Sequence, residues 1–391
     1  MKQEGSTASI LFREFNEKGF LNSFIFYTSA NSAKIPKKRA YRPLRMQKEV
    51  KMTKDGNQMG SDFRLATIGA GIHAETNIYP SLGNYLLRDV KKVGVCDLDE
   101  TKAKRMAAIS GFRNTYSDFR KMIEKEKPDG VIVCLNAKLH PQVVIECLRM
   151  GIHVLVEKPP ARTVEEAKEM LATSQSHGKI VMIAHQKRHA TAYRKAKEIV
   201  SDKENFGRIV QMEAKMHGMG WFPTTFSCLM EWQIHNIDLL RAFGGNIERI
   251  SVMSQNYGDN MASLVFLLKF EKGAVATVNW GTFGGPGPYC ERLEIVGEKG
   301  KGVIVENAYD LVFYEGGWGR RWRPDWNPNL ANQSHVLNGY VGEILHFIEC
   351  ARKNETPSPS IEDGVKSLEA IYEIAQQAGI RAEWQFAPSR Y

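Results

Sequence analysis

A doubly wound parallel α/β sheet is expected first in this chain, followed by an α+β domain with a large, mostly antiparallel open sheet. Three observations lead there. From residue 63 to about 184, short apolar β runs alternate with amphipathic helical stretches. The first of those runs opens into a turn of small residues, Gly69-Ala70-Gly71. After Ala184 the alternation stops, and most strand-like runs follow one another directly.

The composition permits that architecture. The 391 residues are 43% hydrophobic and 25% charged, an ordinary balance for a globular chain long enough for two cores. No run reaches the roughly 18 apolar residues of a membrane-spanning helix, so no membrane partner is expected. Six scattered cysteines without a C-x-x-C pair fit reduced thiols, and hence a cytoplasmic protein, better than a disulfide framework or zinc knuckle. The net charge of +9 suggests nucleic acid until it is located. Residues 1–60 hold 12 Lys/Arg and 5 Asp/Glu, which is +7 of that total. This is a basic arm on a nearly neutral body, and nucleic acid is not expected as a partner.

The arm, residues 1–61, reads as a flexible or docking extension. Its apolar stretch at 20–27 is interrupted by Asn22 and Ser23 and preceded by Glu14 and Glu17, which argues against a signal peptide. Met46, Met52 and Met59 stand just ahead of the first clear strand, so an over-extended start is one explanation of the arm.

Residues 62–185 read as a nucleotide-binding domain of Rossmann type. Strands are expected at 63–68, 92–96, 130–134, 153–156 and 180–183, with helices at 101–110 and 142–150. The first strand runs into Gly69-Ala70-Gly71-Ile72-His73-Ala74, a G-x-G-x-x-A turn. Gly69 makes the tight turn, Gly71 lets backbone N–H groups approach a pyrophosphate, and Ala74 lets the helix close on the sheet. Ile72 and His73 open the helix whose N-terminus would face the phosphates. The second strand ends at Asp97, whose carboxylate can accept both ribose hydroxyls of an adenosine and repels a 2′-phosphate, so NAD is expected rather than NADP. Gly71 and Asp97 are 26 residues apart, against the usual spacing of about 20. An extended helix or loop around 79–89 accounts for the excess.

Further along, Gly151-Ile152-His153-Val154-Leu155-Val156-Glu157-Lys158-Pro159 resembles the A-G-K-H-V-L-V-E-K-P signature of the glucose–fructose oxidoreductase/inositol dehydrogenase/MocA family. Upstream, Val133-Cys134-Leu135-Asn136 and His140 are similar to that family's strand, turn and histidine, and the resemblance runs from about residue 63 to 385. It implies an NAD(P)-dependent dehydrogenase, a cis Lys158-Pro159 bond, and cofactor contacts from Leu135, Asn136, His140, Glu157 and Lys158. From the residues alone, Lys158 stands at the carboxyl end of a buried strand, where open α/β sheets place their ligands. There it can hydrogen-bond a substrate hydroxyl, and burial is expected to depress its own pKa.

Residues 186–391 read as the substrate-binding and oligomerisation domain. A helix is expected at 193–201, then strands at 208–217, 250–257, 262–271, 274–280 and 291–296. Between the first two strands lies Glu231-Trp232-Gln233-Ile234-His235-Asn236-Ile237-Asp238. At helical spacing Glu231, His235 and Asp238 share one face, and two carboxylates flanking a histidine would tune it near neutrality for proton transfer. The segment resembles the family's D-x-G-x-H-x-x-D-L helix, in which the histidine is the catalytic acid/base and the first acid assists it. Here Glu231 and Gln233 stand where that pattern has Asp and Gly.

Catalytic roles are therefore expected for Lys158, His235 and Glu231, and substrate contacts for Lys158, Arg188, Trp221, His235 and Asp238. No metal is expected, since His185 and His189 form only an i, i+4 pair without a third ligand. The stretch 314–326, rich in Trp and Arg, reads as loops that either extend a sugar pocket or line a subunit interface. The resemblance also implies a homo-oligomer, a dimer or tetramer. The expected reaction is hydride transfer between a secondary hydroxyl of a sugar, glycoside or cyclitol and the nicotinamide. An NAD-recycling glycosidase and a cofactor-sensing regulator are the rivals.

Overall fold

The computed structural model describes residues 8–15, 21–28, 63–218, 222–258, 260–283, 291–324 and 333–385. Residues 1–59 form one unit and 60–391 another. In the first, β1 (Ala8–Phe15) and β2 (Leu21–Thr28) pair antiparallel, with Ala8 opposite Thr28 and Phe15 opposite Leu21.

The second unit begins with β3 (Arg64–Ile68), β4 (Lys91–Cys96), β5 (Asn114–Tyr116), β6 (Gly130–Val133), β7 (His153–Glu157) and β8 (Val181–Ala184). They form one sheet in the order β5-β4-β3-β6-β7-β8, parallel throughout. β6, β7 and β8 are buried along their whole length, the pattern of parallel strands covered by helices on both faces. The chain order reverses between β3 and β6, so the crevice beyond their carboxyl ends is the expected ligand site. Sequence periodicity missed β5, which is only three residues long.

The excess spacing before Asp97 has a structural cause. The helix after the glycine turn contains a π-turn at Ala74–Ile78, continues through Tyr79–Leu82, and is followed by a 3-10 turn at Tyr85–Leu87. Buried Tyr79 donates to the carbonyl of Gly69 at 2.9 Å and lies 3.0 Å from Thr67 Oγ1, bracing the turn from beneath.

The second sheet contains β9 (Ile209–His217), β10 (Ile247–Asn256), β11 (Ala262–Phe270), β12 (Val275–Gly281), β13 (Glu291–Gly297), β14 (Lys301–Glu306), β15 (Asp310–Glu315) and β16 (Trp318–Trp322). Their order is β10-β11-β12-β9-β13-β14-β15-β16, antiparallel except between β12 and β9. One face carries Met212, Ala214 and Met216 of β9, then Ala276, Val278 and Trp280 of β12 beside it, then Leu268, Phe266 and Leu264 of β11, all buried. The stretch expected as Trp-rich loops is instead largely a hairpin at the sheet edge. Gly316 and Gly317, at φ 56° and 82°, form the two-residue turn that joins β15 to β16.

The chain then crosses back. Helix Tyr340–Lys353 places Ile344, Phe347 and Ile348 in the core of the parallel sheet beside Phe63, Leu65 and Ile132.

Burial sets the acid stability of this unit. His140, His153, His185, His189 and His235 are all held below the usual imidazole pKa, first by burial; His153 is pushed down to about 4 and His189 to about 3. Such a histidine binds its proton more readily unfolded. Its contribution is therefore present above about pH 6.5 and is lost as pH falls towards the folded value, by about 1.4 kcal/mol per pH unit per group. His217 and His346 are lowered in the same way, and Glu343, raised by burial, works in the opposite direction, one group against seven. The urea midpoint is expected to fall clearly between pH 7.5 and 5.5; equal midpoints would contradict this.

Candidate active site

The glycine turn is built for close approach at one face only. Gly69 has φ +107°, and a Cβ there would stand 2.1 Å from the Cys134 carbonyl oxygen, so no side chain fits. Gly71 meets nothing within 4 Å and is exposed with Ile72 and His73. That open, side-chain-free surface at a helix start is what a pyrophosphate requires. Asp97 accepts hydrogen bonds from the Ala70 N–H at 2.7 Å and the Asp99 N–H at 2.9 Å, one on each oxygen. This fixes the carboxylate at the turn while each oxygen keeps a lone pair for a ribose hydroxyl.

Across the crevice, Leu135 and Asn136 are half-buried, and the Asn136 side chain caps the next turn by accepting from Lys138 N–H. His140 differs from its expected role as a cofactor contact. Its ring is wholly buried, with Nδ1 3.0 Å from the Pro159 carbonyl and Nε2 3.1 Å from the Leu135 carbonyl. Burial keeps the ring neutral, so its single N–H donates to one of these two carbonyls, and the histidine packs between two crevice walls rather than facing the open crevice.

β7 delivers Glu157 and Lys158 to the same crevice, and the Lys158-Pro159 bond is cis. Glu157 Oε1 lies 3.0 Å from His73 Nε2, and Oε2 accepts the Lys158 N–H at 3.1 Å. Burial pushes the Glu157 carboxyl up, but His73 and Lys158 together hold it below the usual range. Beside it Glu343 is fully buried with no partner for either oxygen, and burial followed by the Glu157 charge raises its pKa well above normal, so it is a neutral acid. The sequence reading missed Glu343. Its signal was a lone Glu among the apolar positions Val341, Ile344 and Phe347 of one helix face.

Lys158 departs from expectation. Its Nζ donates to Glu231 Oε2 at 2.8 Å and to the Glu231 carbonyl at 3.1 Å. Burial alone would depress its pKa, but Glu231 and Glu157 outweigh it and the pKa is raised. Lys158 is therefore a cation, and with two of three N–H groups held it has one left for a ligand.

The helix carrying His235 also differs from its regular reading. A π-turn at Leu229–Gln233 carries Glu231 to Lys158, and an α-helix, Ile234–Gly244, carries His235 and Asp238. The carboxylates expected to flank His235 are engaged elsewhere. Its ring instead packs edge-on to His185, centroids 5.7 Å apart, and Nδ1 is buried without a partner. Burial, then the charges of Lys158, His185 and Lys187, push its pKa well below the usual value rather than near neutrality. His235 is a neutral imidazole.

Arg188 and Asp238, expected at the substrate, are bound to each other. Arg188 Nε and Nη2 each reach Asp238 at 2.7 Å, and Nη1 reaches Ser358 Oγ and Asp363. Asp238 is wholly buried, so this bidentate pair joins the turn after β8 to two helices and fixes the helix that carries His235. Asp238→Ala leaves the buried Arg188 with Asp363, at 3.3 Å, as its remaining carboxylate partner, and is expected to lower unfolding free energy by about 3 kcal/mol, read by urea denaturation. A loss under 1 kcal/mol would overturn that role. Trp221 lies outside the described residues.

Residues 63–185 match the family described as an oxidoreductase family with an NAD-binding Rossmann fold, and residues 193–303 match the GFO/IDH/MocA C-terminal domain. The chain is 23% identical over 326 residues to myo-inositol 2-dehydrogenase of Thermotoga maritima, covering 78% of this chain and 93% of the relative. It is 25% identical to the NAD-dependent scyllo-inositol 2-dehydrogenase of Bacillus subtilis, covering 80% and 92%. A dehydrogenase structure from Chromobacterium violaceum superposes with a TM-score of 0.74 at 21% identity, over 82% of this chain and 96% of that one. The chain belongs to the GFO/IDH/MocA oxidoreductase family, with NAD as its cofactor.

Proposed function

We propose that the protein oxidises a secondary hydroxyl of a sugar, glycoside or cyclitol, with Lys158 and His235 managing the hydroxyl proton. The observation that carries this reading is the pairing of a cationic Lys158, held by Glu231 with one donor free, with a neutral His235. Lys158 donates to the substrate oxygen and stabilises negative charge as it develops, while His235 accepts the proton. Glu231 orients the ammonium. NAD, when bound, takes the hydride at C4 of its nicotinamide; Gly69, Gly71, Ile72, His73 and Asp97 are the residues suited to hold it. The names of the two inositol dehydrogenases above support the substrate class.

NADH absorbance with a panel of cyclitols, sugars and glycosides tests this reading; binding of NAD with no oxidation of any of them would overturn it. Asp97 makes a further expectation. The wild type should favour NAD over NADP by on the order of tenfold or more in kcat/KM, and Asp97→Ser should narrow the ratio. An unchanged ratio would remove Asp97 from cofactor choice.

The same reading includes a homo-oligomer, a dimer or tetramer, in the cytoplasm. Exposed Met253 and Val265, cross-strand partners on β10 and β11, with Leu267 and Val275 nearby, support a covered sheet face. The scattered cysteines support the compartment.

A further inference from the structure

Beside the Lys158–Glu231 pair lies a cleft that the proton chemistry does not use. It is lined by Gln186, Lys187, Trp232, Glu291, Asn338 and the Asn307–Tyr309 turn, and has a volume of ≈ 190 Å³. Five separate pieces of the fold meet there: the 3-10 turn after β8, the π-turn that leads into the His235 helix, the start of β13, the β14–β15 turn, and the residue before Gly339. The walls are fixed. Gly339, at φ +95°, leaves no room for a Cβ, which would sit 2.1 Å from the Gln186 carbonyl oxygen. Asn307 and Ala308 hold left-handed backbone at φ 52° and 60°, unusual for alanine.

The lining chemistry is specific. Lys187 and Glu291 form an ion pair, so they cancel and the cleft offers no net charge to a phosphate or carboxylate. What remains is three side-chain amides, two aromatic rings and the Trp232 indole N–H, which is buried without an acceptor. Amides that donate and accept, together with an aromatic wall, suit an uncharged polyhydroxylated ring: the amides match its hydroxyls and the rings its C–H faces. Trp232 follows Glu231 directly, so a ring in this cleft would adjoin one held at Lys158 and His235.

We infer that this cleft is a second sugar subsite and that the preferred substrate is an uncharged glycoside, with the reacting ring at Lys158 and His235 and a second ring against Trp232 and Tyr309. This builds on the dehydrogenase reading for the first ring only.

Steady-state oxidation of cellobiose, methyl β-glucoside and myo-inositol by the NAD-loaded protein tests it, in the wild type, Tyr309→Ala and Trp232→Phe. The wild type should show a kcat/KM at least tenfold higher for the two-ring sugar than for methyl β-glucoside. Both variants should remove most of that advantage through KM, leaving the single-ring substrates within about twofold. Equal kcat/KM for one and two rings in the wild type, or equal loss on both in the variants, would overturn the subsite. Should no sugar be oxidised although NAD binds, the dehydrogenase reading fails by itself, and calorimetric titration of the same sugars decides the subsite. Cellobiose binding tenfold tighter than methyl β-glucoside, and weakened in Tyr309→Ala, would sustain it; equal affinities would overturn it.

Discussion

His235→Asn is expected to lower kcat/KM for alcohol oxidation by about 10²–10⁴-fold, the range for loss of a positioned general base. Burial and the surrounding cations keep the wild-type imidazole neutral to well below pH 6.5. The base is therefore ready throughout the neutral range, and the wild-type rate should lose it only on the acid side of 6.5. Asparagine occupies a similar volume but cannot take the proton, so NAD affinity should survive. A loss under tenfold, with the acid limb unchanged, would mean that another group accepts the proton.

Lys158→Met is expected to be at least as severe. Removing one preorganised donor to a developing oxyanion costs about 10²–10³-fold in kcat. Here the substitution also leaves the partly buried Glu231 carboxylate without its cation, placing an unpaired negative charge where the alkoxide must form. Lys158→Arg keeps the charge but not the compact geometry, and should recover only part of the loss. Equal kcat for wild type and Lys158→Met would remove the lysine from the chemistry.

The two residues were legible in the sequence, whereas their protonation states were not. Lys158 stood out because Glu157-Lys158-Pro159 resembles the family's signature and closes a strand of buried residues, where such sheets place ligands. Its charge depends on Glu231, 73 residues further along, which no local pattern encodes. His235 was likewise visible on its helix, but Lys187 reaches it from the 3-10 turn after β8, and Asp238 is drawn away by Arg188 from that same turn. Read alone, the helix face promised two carboxylates near the histidine; the fold supplies cations.

Secondary structure divides along similar lines. β6 and β7 were found because full burial leaves an unbroken apolar run. β16 was missed because an exposed edge strand, Trp318-Gly319-Arg320-Arg321-Trp322, has no buried face to impose alternation. The Gly316-Gly317 pair was its one local signal, and aromatic and basic neighbours drew the reading towards a binding loop. Asp310 shows what those arginines do instead, pairing with Arg321 and Arg323.

Direct hydride transfer from substrate carbon to the nicotinamide is the central claim, and an isotope follows it. A sugar or cyclitol substrate deuterated at the carbon that is oxidised would be turned over with NAD, and the NADH formed examined by mass spectrometry. One deuterium per NADH is the result expected. Product carrying no deuterium into NADH, or product formed with no net NADH, would contradict the account.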